Sequence, residues 1–308
     1  SAVRPKQGIT PRLDTTVVLR AVSICAVVAT HMHLRLVPGG AHTLLAVIGY
    51  NFARFQLSIV GAAARVRAGL RSAARVAIPA SAWIGLNMLL AGGYSVGALL
   101  LVNNYTGSSW RREGRWQYWF FETFVQLMIV ASVLVAIPAV RRFERRSPFL
   151  VPALLLVPLL AVRFELVQFG DPYNYLYRTH SVAWLFALGW LIYRATTRWQ
   201  QIAASVLVVV SMAGFFGQWY RELFVIMAFL VLLWAPTLPI PRPLHRPIGA
   251  LAAASMWIFL VHWQLIGPLD RALEREVAYL LTLAIGVGVW WVEEVAGAAG
   301  GVEDVEAG

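Results

Sequence analysis

Charge is scarce in this chain. Only 13% of its 308 residues are charged, against about a quarter in a soluble domain. That excludes an ordinary soluble fold. Lysine is nearly absent, since Lys6 stands alone and arginine carries the net charge of +11. Most of these arginines flank apolar runs, which argues against nucleic-acid binding and for contact with anionic lipid headgroups. Cys25 is the single cysteine. It excludes an intrachain disulfide and reads as a small core side chain. The sequence has no Walker motif, GxSxG elbow or DxD pair, its histidines are too scattered to argue for a metal site, and no internal repeat is visible.

What is there is apolar length. Hydrophobic residues make up 59% of the chain and the mean hydropathy is +0.66, the composition of an integral membrane protein. The runs predict an all-α, polytopic fold with ten spans around a pore or cavity: Val17–Val37, Leu44–Val60, Val76–Leu90, Tyr118–Val140, Phe149–Val162, His180–Tyr193, Ile202–Gly217, Leu223–Ala235, Ile248–Leu265 and Val277–Val292. Several fall short of the ~20 residues of a full span, so their ends extend into the flanks. Val96–Val102 is shorter still and runs into Asn103-Asn104, which marks an interfacial or re-entrant piece. With a cytoplasmic N-terminus, sixteen basic residues lie inside against nine outside, and an eleventh span leaves that tally unchanged, so length decides.

Four short stretches read as cytoplasmic loops: Ala63–Arg75, Arg141–Ser147, Arg194–Gln201 and the proline-rich Pro236–Pro247. Outside lie Ala91–Arg115 and Arg163–Thr179, the latter with a Gly170-Asp171-Pro172 turn signal. Residues 1–14 form a polar, basic cytoplasmic segment without the order of a cleavable signal, and an opening residue other than Met fits a processed or partial chain. Residues 15–292 form the membrane domain. The acidic stretch 293–308 reads as a flexible tail or linker.

Arg20 and His31 share the first apolar run, eleven residues or about 16 Å of helix apart. A guanidinium and an imidazole are costly in lipid and mark function. Arg20 suits an anion anchor and His31 a general base that takes a hydroxyl proton near neutral pH. The alternative is a snorkelling flank and an interface residue. Glu122 and Gln126 share one helix face; Glu122 orients a histidine, binds a sugar hydroxyl, or pairs with Arg115 or Arg178. Tyr50, Asn51 and Arg54 are unusually polar for a span. Arg54, Arg65, Arg71 and Arg75 are candidates for donor phosphates, whose geometry matches the guanidinium fork; the alternatives are an acidic partner for Arg54 and topology with lipid contact for the other three. Tyr177, Arg178 and His180 cluster at the outer mouth of the sixth span and either line an acceptor entrance or are interface residues; His262 binds the acceptor or hydrogen-bonds another helix.

The run Leu19-Arg20-Ala21-Val22 through Val27-Val28-Ala29-Thr30-His31 resembles the Arg-x10-His opening of the membrane acyltransferase-3 family. Pro38-Gly39-Gly40 resembles its glycine turn, and Arg75-Val76-Ala77-Ile78-Pro79 the entry to its third helix. Trp116 to Glu122 resembles its Trp-x5-Glu segment, and Phe259-Leu260-Val261-His262-Trp263 its Tyr-Leu-x-His segment. The likeness runs from Arg12 to Pro268. It departs at Ile48–Arg54, where the family often has Ser-Gly-Phe. Ten spans from a cytoplasmic N-terminus put both termini in the cytoplasm; the resemblance implies a bacterial inner-membrane O-acyltransferase with no permanently bound cofactor and a thioester donor, acyl-CoA or acyl-carrier. Its acceptor would be a hydroxyl of a glycan, glycolipid or lipid, and an acyl carrier protein or fused domain its partner. Two other readings remain open: a proton-coupled transporter with Arg20, His31, Arg54 and Glu122 as a relay, and a membrane anchor subunit.

Overall fold

The computed structural model describes residues 11–34, 38–106, 117–167 and 172–306. Arg115, Trp116, Gly170 and Asp171 therefore lie outside the described residues, as do residues 1–10 of the predicted N-terminal segment. The fold is nearly all α-helical. Strand β1 (Arg12–Asp14) leads into α1 (Thr15–His31), followed by α2 (Gly40–Asn51), α3 (Ala62–Ala91), the single turns α4 (Val96–Leu99) and α5 (Asn103–Thr106), α6 (Trp119–Ala136), α7 (Pro138–Arg146) and α8 (Leu150–Arg163). Next come α9 (Thr179–Arg194), α10 (Arg198–Met212), α11 (Trp219–Trp234), strand β2 (Thr237–Pro239), α12 (Arg242–Ala253), α13 (Ser255–Ala272) and α14 (Arg275–Glu306). The described strands pair antiparallel, Arg12 opposite Pro239 and Asp14 opposite Thr237.

Every predicted apolar stretch is helical at its centre. By length and composition, three described helices are long and apolar enough to cross a membrane: α3, α6 and the Arg275–Ala296 part of α14. Two bent pairs raise that to five: α7 with α8 at 116°, and α12 with α13 at 69°. Large apolar side chains such as Ile78, Leu89, Val130, Val157, Val206 and Trp291 face outward, as lipid contact permits and water disfavours.

The arginine-rich stretches depart from the loops expected for them. Ala63–Arg75 belongs to the continuous helix α3, and Arg141–Arg146 to α7. Both are rich in alanine or arginine, strong helix formers that charge alone does not dissuade. In Pro236–Pro247 the helix begins at Arg242 and contains Pro247. The backbone of 293–306, expected as a flexible tail, continues α14. Val96–Val102 forms no span but α4 and the approach to α5.

Two glycines set the tightest crossing. A Cβ on Gly49 would lie 1.9 Å from the Phe186 carbonyl oxygen, and one on Gly189 2.0 Å from that of Ala46. Each glycine thus admits the other helix's backbone, and α2 and α9 touch main chain to main chain, the small-residue packing that joins helices where lipid supplies no hydrophobic drive. After Asn51 the helix widens into a π turn, Phe52–Gln56.

Candidate functional site

Helices α1 and α13 lie side by side and run in the same direction. Arg20 Nη2 donates to Ser255 Oγ at 3.2 Å at their starts, and His31 meets His262 farther along both. At the Arg20 end is a cavity of about 350 Å3. Arg20, Asn51, Gln56, Ser72 and Ser255 give it a polar side; Phe52, Phe55, Phe120, Phe121 and Phe124 supply much of the rest. Phe52, Phe55 and Gln56 belong to the π turn, whose extra residue per turn splays the backbone there. Gln56 Nε2 donates to Ser72 Oγ at 2.9 Å.

His31 does not line this cavity. It turns against α13 and forms a pair with His262, whose side chain is fully buried. The rings lie 9° from parallel with centroids 5.1 Å apart, and His31 Nδ1 is 2.9 Å from His262 Nε2. With nitrogens that close and centroids that far apart, the rings meet edge to edge and the bond lies near their planes. His262 Nδ1 stands 2.7 Å from the Phe259 carbonyl oxygen. A carbonyl only accepts, so Nδ1 of His262 carries its proton. In neutral rings that leaves His262 Nε2 as acceptor and makes His31 Nδ1 the donor. The lone pair of His31 is then on Nε2, which has no hydrogen-bond partner among the described residues. The chain from carbonyl to imidazole to imidazole fixes one tautomer.

Neighbours hold this pair in place. The Trp263 ring lies 4.2 Å from that of His31, and its Nε1 donates to the Gln117 carbonyl at 3.2 Å. Gln264 accepts from Trp83 Nε1 at 3.1 Å and donates to Tyr118 and Tyr94 hydroxyls at 2.9 and 3.1 Å. Two residues beyond His31, His33 lines a second cavity of about 600 Å3 with Leu34, Asp270, Glu274, Arg275 and Glu276. Between the Arg20 cavity and the histidines stands Phe259, stacked on Phe120 at 5.1 Å and edge-on to His262 at 5.3 Å.

Glu122, 1% exposed, orients no histidine and pairs with no cation among the described residues. Its Oε2 accepts from the Asn104 backbone at 2.7 Å, while Oε1 is buried without a partner. Asn104, Gln126 and Thr179 bond to one another around it, which anchors α5 to α6 and α9.

The expected donor arginines separate. Arg54 pairs with Asp14 at 2.5 Å. Asp14 also caps α1 by accepting from the Thr16 backbone at 2.8 Å. Burial pushes the Asp14 carboxyl up, but hydrogen bonds from Arg54 and Thr16 outweigh it and hold its pKa below the usual carboxylate value. Arg65 is buried, whereas Arg71 and Arg75 are exposed; none of the four lines the Arg20 cavity. Of the expected acceptor group, Tyr177 packs edge-on to Trp119 at 5.4 Å, Arg178 precedes the first turn of α9, and the His180 ring lies 6.0 Å from that of Tyr105. His262 belongs with His31 instead.

Sequence reasoning missed Asp14, Ser255, Trp263 and Gln264, and a second buried histidine. His42 lies 3.1 Å from the Leu176 carbonyl through Nε2 and 3.5 Å from Arg221 Nη2 through Nδ1, among Trp119, Phe215 and Phe216. A lone histidine at the edge of the second apolar run was the available signal; its place opposite Arg221 of α11 is visible only in the fold. Comparison with family models, with curated protein sequences and with solved structures finds no match to this chain.

Proposed function

We propose that the chain is a membrane O-acyltransferase with His31 as its general base. The observation that carries this reading is the chain Phe259 carbonyl, His262, His31, which supports a free lone pair on His31 Nε2. In the reaction Nε2 takes the proton of an acceptor hydroxyl. The oxygen attacks the carbonyl of a thioester, the C–S bond breaks, and the imidazolium returns the proton to the departing thiolate. His262 orients His31 and accepts from it throughout, as an orienting group does for a catalytic base. Arg20 anchors the donor's negative charge in the 350 Å3 cavity; because His31 lines neither that cavity nor the polar one at His33, Phe259 must move aside for the thioester to reach His31.

The same proposal includes the finer topology: ten crossings in the bacterial plasma membrane, both termini cytoplasmic, and acyl-CoA or an acyl-carrier thioester as donor. A glycan, glycolipid or lipid hydroxyl is the acceptor, and Glu122 is a positioning residue for α5 rather than a catalytic one.

The test is release of free thiol from an acyl thioester by the purified protein. His31→Ala should lower the rate by about 100-fold or more, the usual scale of general-base catalysis. Equal rates for His31→Ala and the parent chain would sink the reading. Solute or proton flux in liposomes without thiol release would establish the transporter instead.

A further inference from the structure

Away from this site, arginines from three helices gather around one carboxylate. Arg65 at the start of α3 is 6% exposed, and its Nη2 donates to the Ile59 carbonyl at 3.0 Å. The charges of Arg141 and Arg145 on α7 and of Arg194 at the end of α9 act on it, together with that of Glu144. Glu144 is buried and is engaged by Arg194. Arg145 is exposed and Arg141 partly buried, and Arg194 is the residue ion-paired with Glu144 among the described residues, which leaves the buried Arg65 without a carboxylate of its own. The Nε atoms of Arg65, Arg141 and Arg194 are each buried without a hydrogen-bond partner. A buried cation without a counter-charge is strongly unfavourable, and an orphaned N–H donor adds its own cost.

We propose that this cluster binds a phosphate group. Phosphate carries several strong acceptor oxygens and matches the guanidinium fork, so such a group offers partners to the orphaned Nε–H donors and offsets the excess charge. The phosphate belongs either to a lipid headgroup or to a soluble phosphate, and the chemistry of capture is the same. None of these residues lines the Arg20 cavity, so the site is separate from the one that holds Arg20; Arg65 is also among the candidate arginines for donor phosphates, and a soluble phosphate held here can be the donor's.

The experiment melts the full chain in maltoside detergent with sodium phosphate, against sodium chloride of equal ionic strength, and separately with added phosphatidylglycerol. Binding to the folded state raises the melting temperature. A rise of about 3 °C is expected in the parent chain and in Arg67→Gln, whose side chain is exposed on the same helix, and not in Arg65→Gln. A rise with inorganic phosphate assigns the site to soluble phosphate; a rise with phosphatidylglycerol alone assigns it to lipid. No rise in either arm, or an equal rise in Arg65→Gln, overturns the proposal. Should Arg65→Gln fail to fold, Glu144→Gln takes its place. It frees Arg194, and the half-saturating concentration of the effective ligand should fall by about threefold, roughly a 0.6 kcal/mol gain. An unchanged value overturns the proposal equally.

Discussion

His31 depends on a residue 231 positions away. If His262 sets its tautomer, His262→Phe should keep the packing yet lower thiol release by about 10-fold or more, because His31 can then carry its proton on Nε2. His262→Gln, with an amide oxygen to accept from His31 Nδ1, should recover part of that loss. Circular dichroism and gel filtration check that both variants fold; equal rates for both and the parent would remove His262 from the mechanism. His31 and Arg20 were legible because a polar residue inside an apolar run stands out by cost alone. The partnership was not, since nothing in a linear pattern states which distant histidine lies opposite. Of the two readings for His262, a hydrogen bond to another helix is the one the structure shows, with His31 of α1 as partner and Trp263 and Phe259 as ring neighbours.

Among elements, the crossing of α2 and α9 is the least forgiving. Gly49→Val and Gly189→Val would each drive a side chain into a backbone carbonyl, and helix main chain cannot yield as a flexible side chain can. Overpacking of this kind costs about 1–3 kcal/mol, occasionally more. Both variants should melt lower than the parent, while Gly249→Val, where no atom lies within 4 Å of the added Cβ, should not. Unchanged melting of both variants would mean the helices are farther apart than described. The helix centres were readable from apolar runs longer than a buried strand needs. Their ends were not. Arginine next to an apolar run signals the membrane surface, but it does not stop a helix, so α3 passes through the stretch taken for a loop. The π turn has no sequence signature of its own.

For the whole molecule, the beginning of the described chain is tied to distant parts of it. Asp14 caps α1, pairs with Arg54 beyond α2, and sits in the strand that pairs with residues after α11. Its pKa in the fold is depressed, so its contribution is fully present above the ordinary carboxylate pKa of about 4 and is lost as pH falls through the folded value. The melting temperature should therefore decline below pH ~4, and Asp14→Asn should melt lower at pH 7 with a shallower acid decline. Identical acid profiles would detach Asp14 from the stability of the fold. The 69° bend before α13 carries a mechanical consequence. Ser255 and Met256, just past the corner, wall the Arg20 cavity, and His262 rides the same rod two turns on. Cavity wall and His262 thus share one helix, so a displacement of α13 would move both together.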